Sequence, residues 1–237
     1  MKRILVRPVL VVALLAAACG DDDGPTEVED ARPSVRFVNA TTGSGSGGFT
    51  TNGQFAAGSA LAPGQATQAC AKIDPGATFF GFGAANSGGT GLSGNPLVTS
   101  NSETIVAGGK YTVVASGSAT SPTLIVFSNT LSSELGNNQA AVRFANFAPN
   151  TETVYNYVFY LGAIGTMPLA LNMPFGAIST FSIVPSGANT FSVLQVPGHI
   201  PVIESSAATL QVGSVNTMAL VADASGGFQL MHLPRCP

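Results

Sequence analysis

The sequence predicts an all-β protein: two tandem immunoglobulin-like antiparallel β-sandwiches that follow a cleaved signal peptide and a disordered acidic tether. Three observations predict it. Apolar and polar residues alternate at period two in many short runs, and turn formers such as Pro75-Gly76, Gly108-Gly109, Pro185-Ser186-Gly187 and Gly226-Gly227 interrupt them. One set of motifs also occurs twice, in the same order and at a nearly constant spacing.

The first element is an export signal over residues 1–18. Lys2, Arg3 and Arg7 give a positive start, Val9 to Ala18 form an apolar run, and Ala16-Ala17-Ala18 supply small residues for cleavage. The apolar run is about half of the roughly 20 residues a membrane-spanning helix needs, so it reads as removable. Leu14-Leu15-Ala16-Ala17-Ala18-Cys19 resembles a lipobox, with Ala16 standing where leucine is usual. That resemblance implies a lipidated Cys19, cleavage in front of it, and a partnership with the membrane through the N-terminal lipid. Two or three acyl chains anchor stably where one is marginal.

Residues 19–33 read as the lipidated cysteine and its tether. Asp21, Asp22, Asp23, Glu27, Glu29 and Asp30 repel one another, and the segment has no apolar periodicity with which to fold. The run also resembles the surface-export signals of some bacterial lipoproteins. The expected location is the bacterial cell envelope, lipid-anchored at the outer membrane or cell surface.

The chain has 9 basic and 12 acidic residues. Half of the acids fall in the tether, and removal of the signal takes three of the basic residues, so the body beyond residue 30 is balanced and poor in charge. It carries no basic stripe for phosphates, and nucleic acid is not an expected partner. With Cys19 assigned to lipid, Cys70 and Cys236 remain as an even pair, which in an oxidising compartment is expected to bridge.

The duplication sets the domain organisation. Val35-Arg36-Phe37-Val38-Asn39 recurs as Val142-Arg143-Phe144-Ala145-Asn146. Ile73-Asp74-Pro75-Gly76-Ala77 recurs as Val184-Pro185-Ser186-Gly187-Ala188, and Thr104-Ile105 with Gly108 and Thr112-Val113 recurs as Thr209-Leu210 with Gly213 and Thr217-Met218. The offsets are 107, 111 and 105 residues. Repeat 1 is therefore placed at 34–136 and repeat 2 at 137–237, each a normal size for one hydrophobic core.

Within the repeats, Tyr155, Tyr157, Phe159 and Leu161 alternate with Asn156, Val158 and Tyr160, as expected of a half-buried strand. Phe181 with Ile183 and Phe228 with Leu230 read likewise. Leu124-Ile125-Val126-Phe127 is continuous, as expected of a strand covered on both faces. Leu131 to Gly136 is read as a short helical turn between the repeats, and the glycines at 43–48 as a flexible surface loop.

The opening Val-Arg-Phe-Val-Asn-Ala, the central Pro/Ser-Gly-Ala turn before an aromatic strand, and the closing Gly-Lys-Tyr-Thr-Val-Val at 109–114 resemble the bacterial domain-of-unknown-function family numbered 4397. The resemblance runs over both copies, from about 33 to 233. It implies exported envelope proteins, often tandem, and brings no established reaction or ligand. Members continue with Ser-Pro-Asp-Ala and a Val-Asp-Val-Tyr strand. Repeat 2 keeps a trace in Phe147-Ala148-Pro149-Asn150 and Val154-Tyr155, whereas repeat 1 has the glycine-rich segment instead.

No nucleophile elbow, His-Glu-x-x-His, paired Cys-x-x-Cys or phosphate-binding glycine loop occurs, so no catalytic residue, metal site or cofactor is assigned. His199 follows Pro197-Gly198 and should tip a turn, while His232 shares strand parity with Phe228 and Leu230. The candidate binding residues are Arg36 and Arg143, which occupy equivalent strand positions, and Tyr155, Tyr157 and Tyr160 in a charge-free segment. The expected function is a non-catalytic envelope or cell-surface binding or structural module with an envelope protein or glycan as partner. The alternative is an enzyme, or a subunit of one, acting on envelope polysaccharide.

Overall fold

Alternating, turn-punctuated runs fold into strands throughout a computed structural model that describes residues 31–237 apart from 44, 57, 149–154 and 224. Cys19, the signal segment and most of the acidic tether lie outside the described residues. Repeat 1 supplies β1 (Ser34–Thr42), β2 (Gly47–Thr51), β3 (Gln54–Phe55), β4 (Gln65–Ala66), β5 (Ala71–Lys72), β6 (Gly76–Thr78), β7 (Phe80–Ala84), β8 (Val98–Thr99), β9 (Glu103–Ile105), β10 (Lys110–Ser118) and β11 (Ser121–Ser128). Repeat 2 supplies β12 (Gln139–Asn146), β13 (Asn156–Leu161), β14 (Met167–Met173), β15 (Ser182–Pro185), β16 (Gly187–Val196), β17 (Ile200–Leu210), β18 (Val215–Ala222) and β19 (Phe228–Pro234). The fold is all-β, as the sequence predicts.

Each repeat pairs an inner with an outer sheet. In repeat 1 the inner order is β11-β10-β1-β4, with β5 also on β1, and the outer order is β3-β2-β7-β8. In repeat 2 the inner order is β15-β12-β18-β19 and the outer β14-β13-β16-β17. Most pairings are antiparallel, but β1–β10 and β12–β18 run parallel. A parallel pair needs a long crossover, and here the outer sheet of each repeat serves as that crossover. Such a connection joins the opening and closing motifs of a repeat and leaves no local mark in the sequence.

The ladder registers carry the duplication into three dimensions. Arg36 stands opposite Thr112 as Arg143 stands opposite Thr217. Val35 pairs with Ala71 as Val142 pairs with Ser182, and Val38 with Ala66 as Ala145 with Ile178. The Asn39 side chain donates to the Leu61 carbonyl and accepts from the Thr41 amide; Asn146 does the same with Met173 and Ala148. Both asparagines thus accept from the amide two residues on and donate to a carbonyl on a distant segment.

Three apolar cores result. Val35, Phe37, Val113 and Ala115 meet Phe49, Phe80 and Phe82 inside repeat 1. Val142, Phe144, Met218 and Leu220 meet Tyr157, Phe159, Phe191 and Val193 inside repeat 2. The opposite faces of the two inner sheets build the third core, where Val38, Ala40 and Val114 pack against Ala145, Phe147, Ala219, Val221 and Leu233. Both inner sheets are therefore covered on both sides, and Ala31–Pro237 forms one compact unit. The Leu124–Phe127 run behaves as expected, with Leu124 and Val126 on the repeat 1 core and Ile125 and Phe127 on the junction.

Two local expectations change. Leu131–Gly136 forms bends without a helical turn; six residues offer too few hydrogen bonds to offset helix nucleation. The glycine-rich connection is shorter than expected, since β1 continues to Thr42 and β2 begins at Gly47, so Gly47 and Gly48 belong to a strand. Gly47 pairs with Ala84, and a Cβ there would meet the Phe82 ring at 2.0 Å, so glycine lets that ring cover the backbone.

Candidate functional site

Alternation along β1 and β12 decides where the two arginines point. Val35 and Phe37 face the repeat 1 core, so Arg36 turns toward the junction between the repeats, as Arg143 does from β12. Both are buried, at 9% and 7% exposure. Their surroundings then diverge.

Arg143 is held on every side. Its Nη2 donates to the Ser128 carbonyl at 2.8 Å and to Asn129 Oδ1 at 2.6 Å, and its Nε to Thr217 Oγ1 at 3.1 Å. The guanidinium lies 4.6 Å from the ring centroids of both Phe127 and Phe181, so two aromatic faces share its charge. Burial lowers its pKa to about 10, still well above neutrality.

Arg36 has few of these partners. By the strand registers, Phe127 corresponds to Leu233 and Phe181 to Cys70, while Asn129 corresponds to Arg235, which offers no acceptor. Arg36 Nη1 donates to the Thr67 carbonyl at 2.8 Å, and its buried Nε has no hydrogen-bond partner. No carboxylate among the described residues is paired with it. Burial also lowers its pKa.

Where Arg143 has its aromatic plates, Arg36 lines a cavity of about 640 Å³. One wall is the Gly64–Ala69 segment of repeat 1 and the other is Met231, His232 and Leu233 on β19 of repeat 2. Both ends are tied across the junction. Gln229 Nε2 donates to the Gly64 carbonyl at 2.9 Å at one end, and the Cys70–Cys236 disulfide closes the other. The expected bridge is thus present, with a Cα–Cα distance of 5.9 Å. His232 Nε2 lies 2.9 Å from Asn216 Oδ1, and burial, then the Arg36 charge, lower its pKa.

The three tyrosines are not brought onto one surface. Tyr157 is 1% exposed and packs edge-on against Phe228, its centroid 6.0 Å away, and burial followed by Tyr155 raises its pKa. The physical reason is strand parity: Tyr157 and Phe159 turn into the sandwich, whereas Tyr160 lies half-buried on the other face of β13. Tyr155 is half-buried next to residues that are not described. His199 tips the β16–β17 turn with a positive φ of 54°, as expected. Among the described residues no three His, Cys, Asp or Glu side chains gather as a metal site.

Comparison with protein-family models adds a relationship. The model described as a domain of unknown function (DUF4397) matches residues 33–157, more than half of the chain. The chain belongs to the DUF4397 family. No curated protein matches it. In this DUF4397 protein the matched span takes in all of repeat 1 and continues through β12, so it contains both arginines.

The sequence pairs Arg36 with Arg143 but does not show that one is enclosed while the other faces open space. A signal was present. Cys70 stands in repeat 1 where Phe181 stands in repeat 2, so the aromatic plate is missing from one copy. The walls at Gln65, Gln68 and Ala69 have no such signal, because nothing local links them to residues 231–233.

Proposed function

We propose that this protein is a lipid-anchored exported lipoprotein of the bacterial cell envelope, acting as a non-catalytic binding or structural module. Cys19 carries the anchor, the acidic segment after it spaces the body from the membrane, and the paired sandwiches present a fixed surface to an envelope protein or glycan. The observation that carries this reading is the Cys70–Cys236 bridge, which ties the end of the chain to repeat 1. Disulfides persist in oxidising compartments, so the bridge agrees with the export signal and the lipobox-like segment. The junction core supports a rigid module, because relative motion of the repeats would expose Phe147, Val38 and Val221.

The test is the mass and partitioning of the chain made in a bacterium with a lipoprotein export route. The expected product begins at Cys19, carries acyl mass and enters the detergent phase, while Cys19→Ser abolishes both properties. A product with an unmodified Cys19 in the aqueous phase would overturn the reading. Protease treatment of intact cells then decides the face: released peptides from residues 34–237 place the module outside, and protection until the outer layer is opened places it in the periplasm.

A further inference from the structure

We propose that the cavity over Arg36 binds a monocarboxylate, with the carboxylate on the Arg36 guanidinium and the rest of the ligand against Leu61, Ala66, Met231 and Leu233. The site rests on the reading of the chain as a non-catalytic binding module. Four observations carry it.

First, a buried guanidinium is costly unless it is paired and hydrogen-bonded. Arg143 meets that requirement with three donated hydrogen bonds and two aromatic rings, whereas Arg36 makes one hydrogen bond to a neutral carbonyl. The same strand position, duplicated, has thus become a structural arginine in one copy and an underused cation facing a cavity in the other.

Second, the cavity is held open by the protein itself. The disulfide at one end and the Gln229–Gly64 hydrogen bond at the other fix the two walls. Apolar side chains could have filled this space, as Phe127 and Phe181 do beside Arg143.

Third, the charge available suits one carboxylate. The walls carry Arg36 as their formal cation, and His232 is engaged with Asn216. Burial and then the Arg36 charge lower the His232 pKa, which favours the uncharged imidazole beside Arg36. A single guanidinium presents a planar fork to a carboxylate, whereas a doubly charged phosphate is better matched by several cations.

Fourth, the remaining lining is mixed. The side chains of Gln65 and Gln68 can donate or accept beside the apolar Ala66, Met231 and Leu233. Small-molecule sites combine such apolar walls with a few polar groups that set orientation.

The experiment titrates the full-length chain in detergent with benzoate, glucuronate, sulfate and phosphate, read by calorimetry and by ligand NMR. Saturable binding of benzoate or glucuronate is expected at millimolar concentration or below. Benzoate alone would identify a free apolar carboxylate as the source. Equal or tighter binding of glucuronate would identify an acidic sugar, and either result supports the site. Gln68 and Ala69 are exposed on the rim, so changes there leave the fold intact. Gln68→Glu should weaken binding several-fold and Gln68→Lys should tighten it by a similar factor, the effect of one nearby screened charge. Ala69→Phe should abolish binding by filling the opening.

No saturable carboxylate binding, sulfate or phosphate binding as tightly as the carboxylates, or affinities indifferent to all three variants would each overturn the proposal and leave the envelope-module reading untouched. Chemical conversion of the bound ligand in the NMR tube would do the reverse, sinking the non-catalytic reading while the site stood.

Discussion

Replacing Cys70 and Cys236 together with serine removes the disulfide between the repeats, and its cost can be worked from the topology. The bridge joins residues separated by 166 positions, a loop that contains most of repeat 1 and nearly all of repeat 2. Restricting the unfolded chain over a loop of that length stabilises the folded state by about 5 kcal/mol in the chain-entropy model, an upper value because residual structure and native strain reduce it. The folded state itself should change little. Phe147 still packs on Phe127 at 6.0 Å between centroids, Ser116 Oγ still donates to the Phe147 carbonyl at 2.8 Å, and Gln229 still reaches Gly64.

The assay is urea unfolding of the oxidised protein and the double variant, followed by circular dichroism and fluorescence from the tyrosines. A loss of about 3–5 kcal/mol is expected, with a steeper denaturant dependence because the open chain exposes more surface when unfolded. A loss under about 1 kcal/mol with an unchanged slope would refute the reasoning, since it would mean that the loop is already constrained in the unfolded state.

Three further outcomes follow from individual residues. Arg143→Lys should cost about 3 kcal/mol, because an ammonium cannot reproduce the fork onto Ser128, Asn129 and Thr217 or the double aromatic contact; Arg36→Lys should cost about 1 kcal/mol, and equal losses in urea titrations would contradict their different environments. His232 has a lowered pKa, so the unfolded chain takes up its proton first as pH falls. Its contribution therefore leaves stability unaffected above about pH 6.5, then reduces it as pH drops through the lower folded value; His232→Gln should flatten that part of the stability-against-pH curve, and an unaltered slope would count against the assignment. Gly47→Ala would drive a methyl to 2.0 Å from the Phe82 ring and should cost about 1–3 kcal/mol by overpacking, measurable as a lower urea midpoint.

Much of the fold was legible because it is written in short-range order. Val35 and Phe37, or Phe228 and Leu230, alternate with other residues at the period of a strand, and side-chain direction follows from that period alone. The duplication was legible for a different reason. Equivalent strands keep equivalent partners, so the Arg36–Thr112 and Arg143–Thr217 pairs preserve both residue types and spacing. Tyr157 shows the limit of the same logic: its parity already pointed inward, and the core it shares with Phe228 took it from the surface.

By itself the sequence determined the all-β class, the two repeats, the cysteines available to pair and the equivalence of the two arginines, since each depends on residue type and local spacing. Only the tertiary structure decided that β1 and β10 run parallel, that the inner sheets pack face to face, and that Arg36 opens onto a cavity while Arg143 is enclosed. The physical reason is distance along the chain. The cavity joins residues near 36, 65 and 232, and their meeting depends on the summed packing of three cores and one disulfide, which no local window of sequence contains.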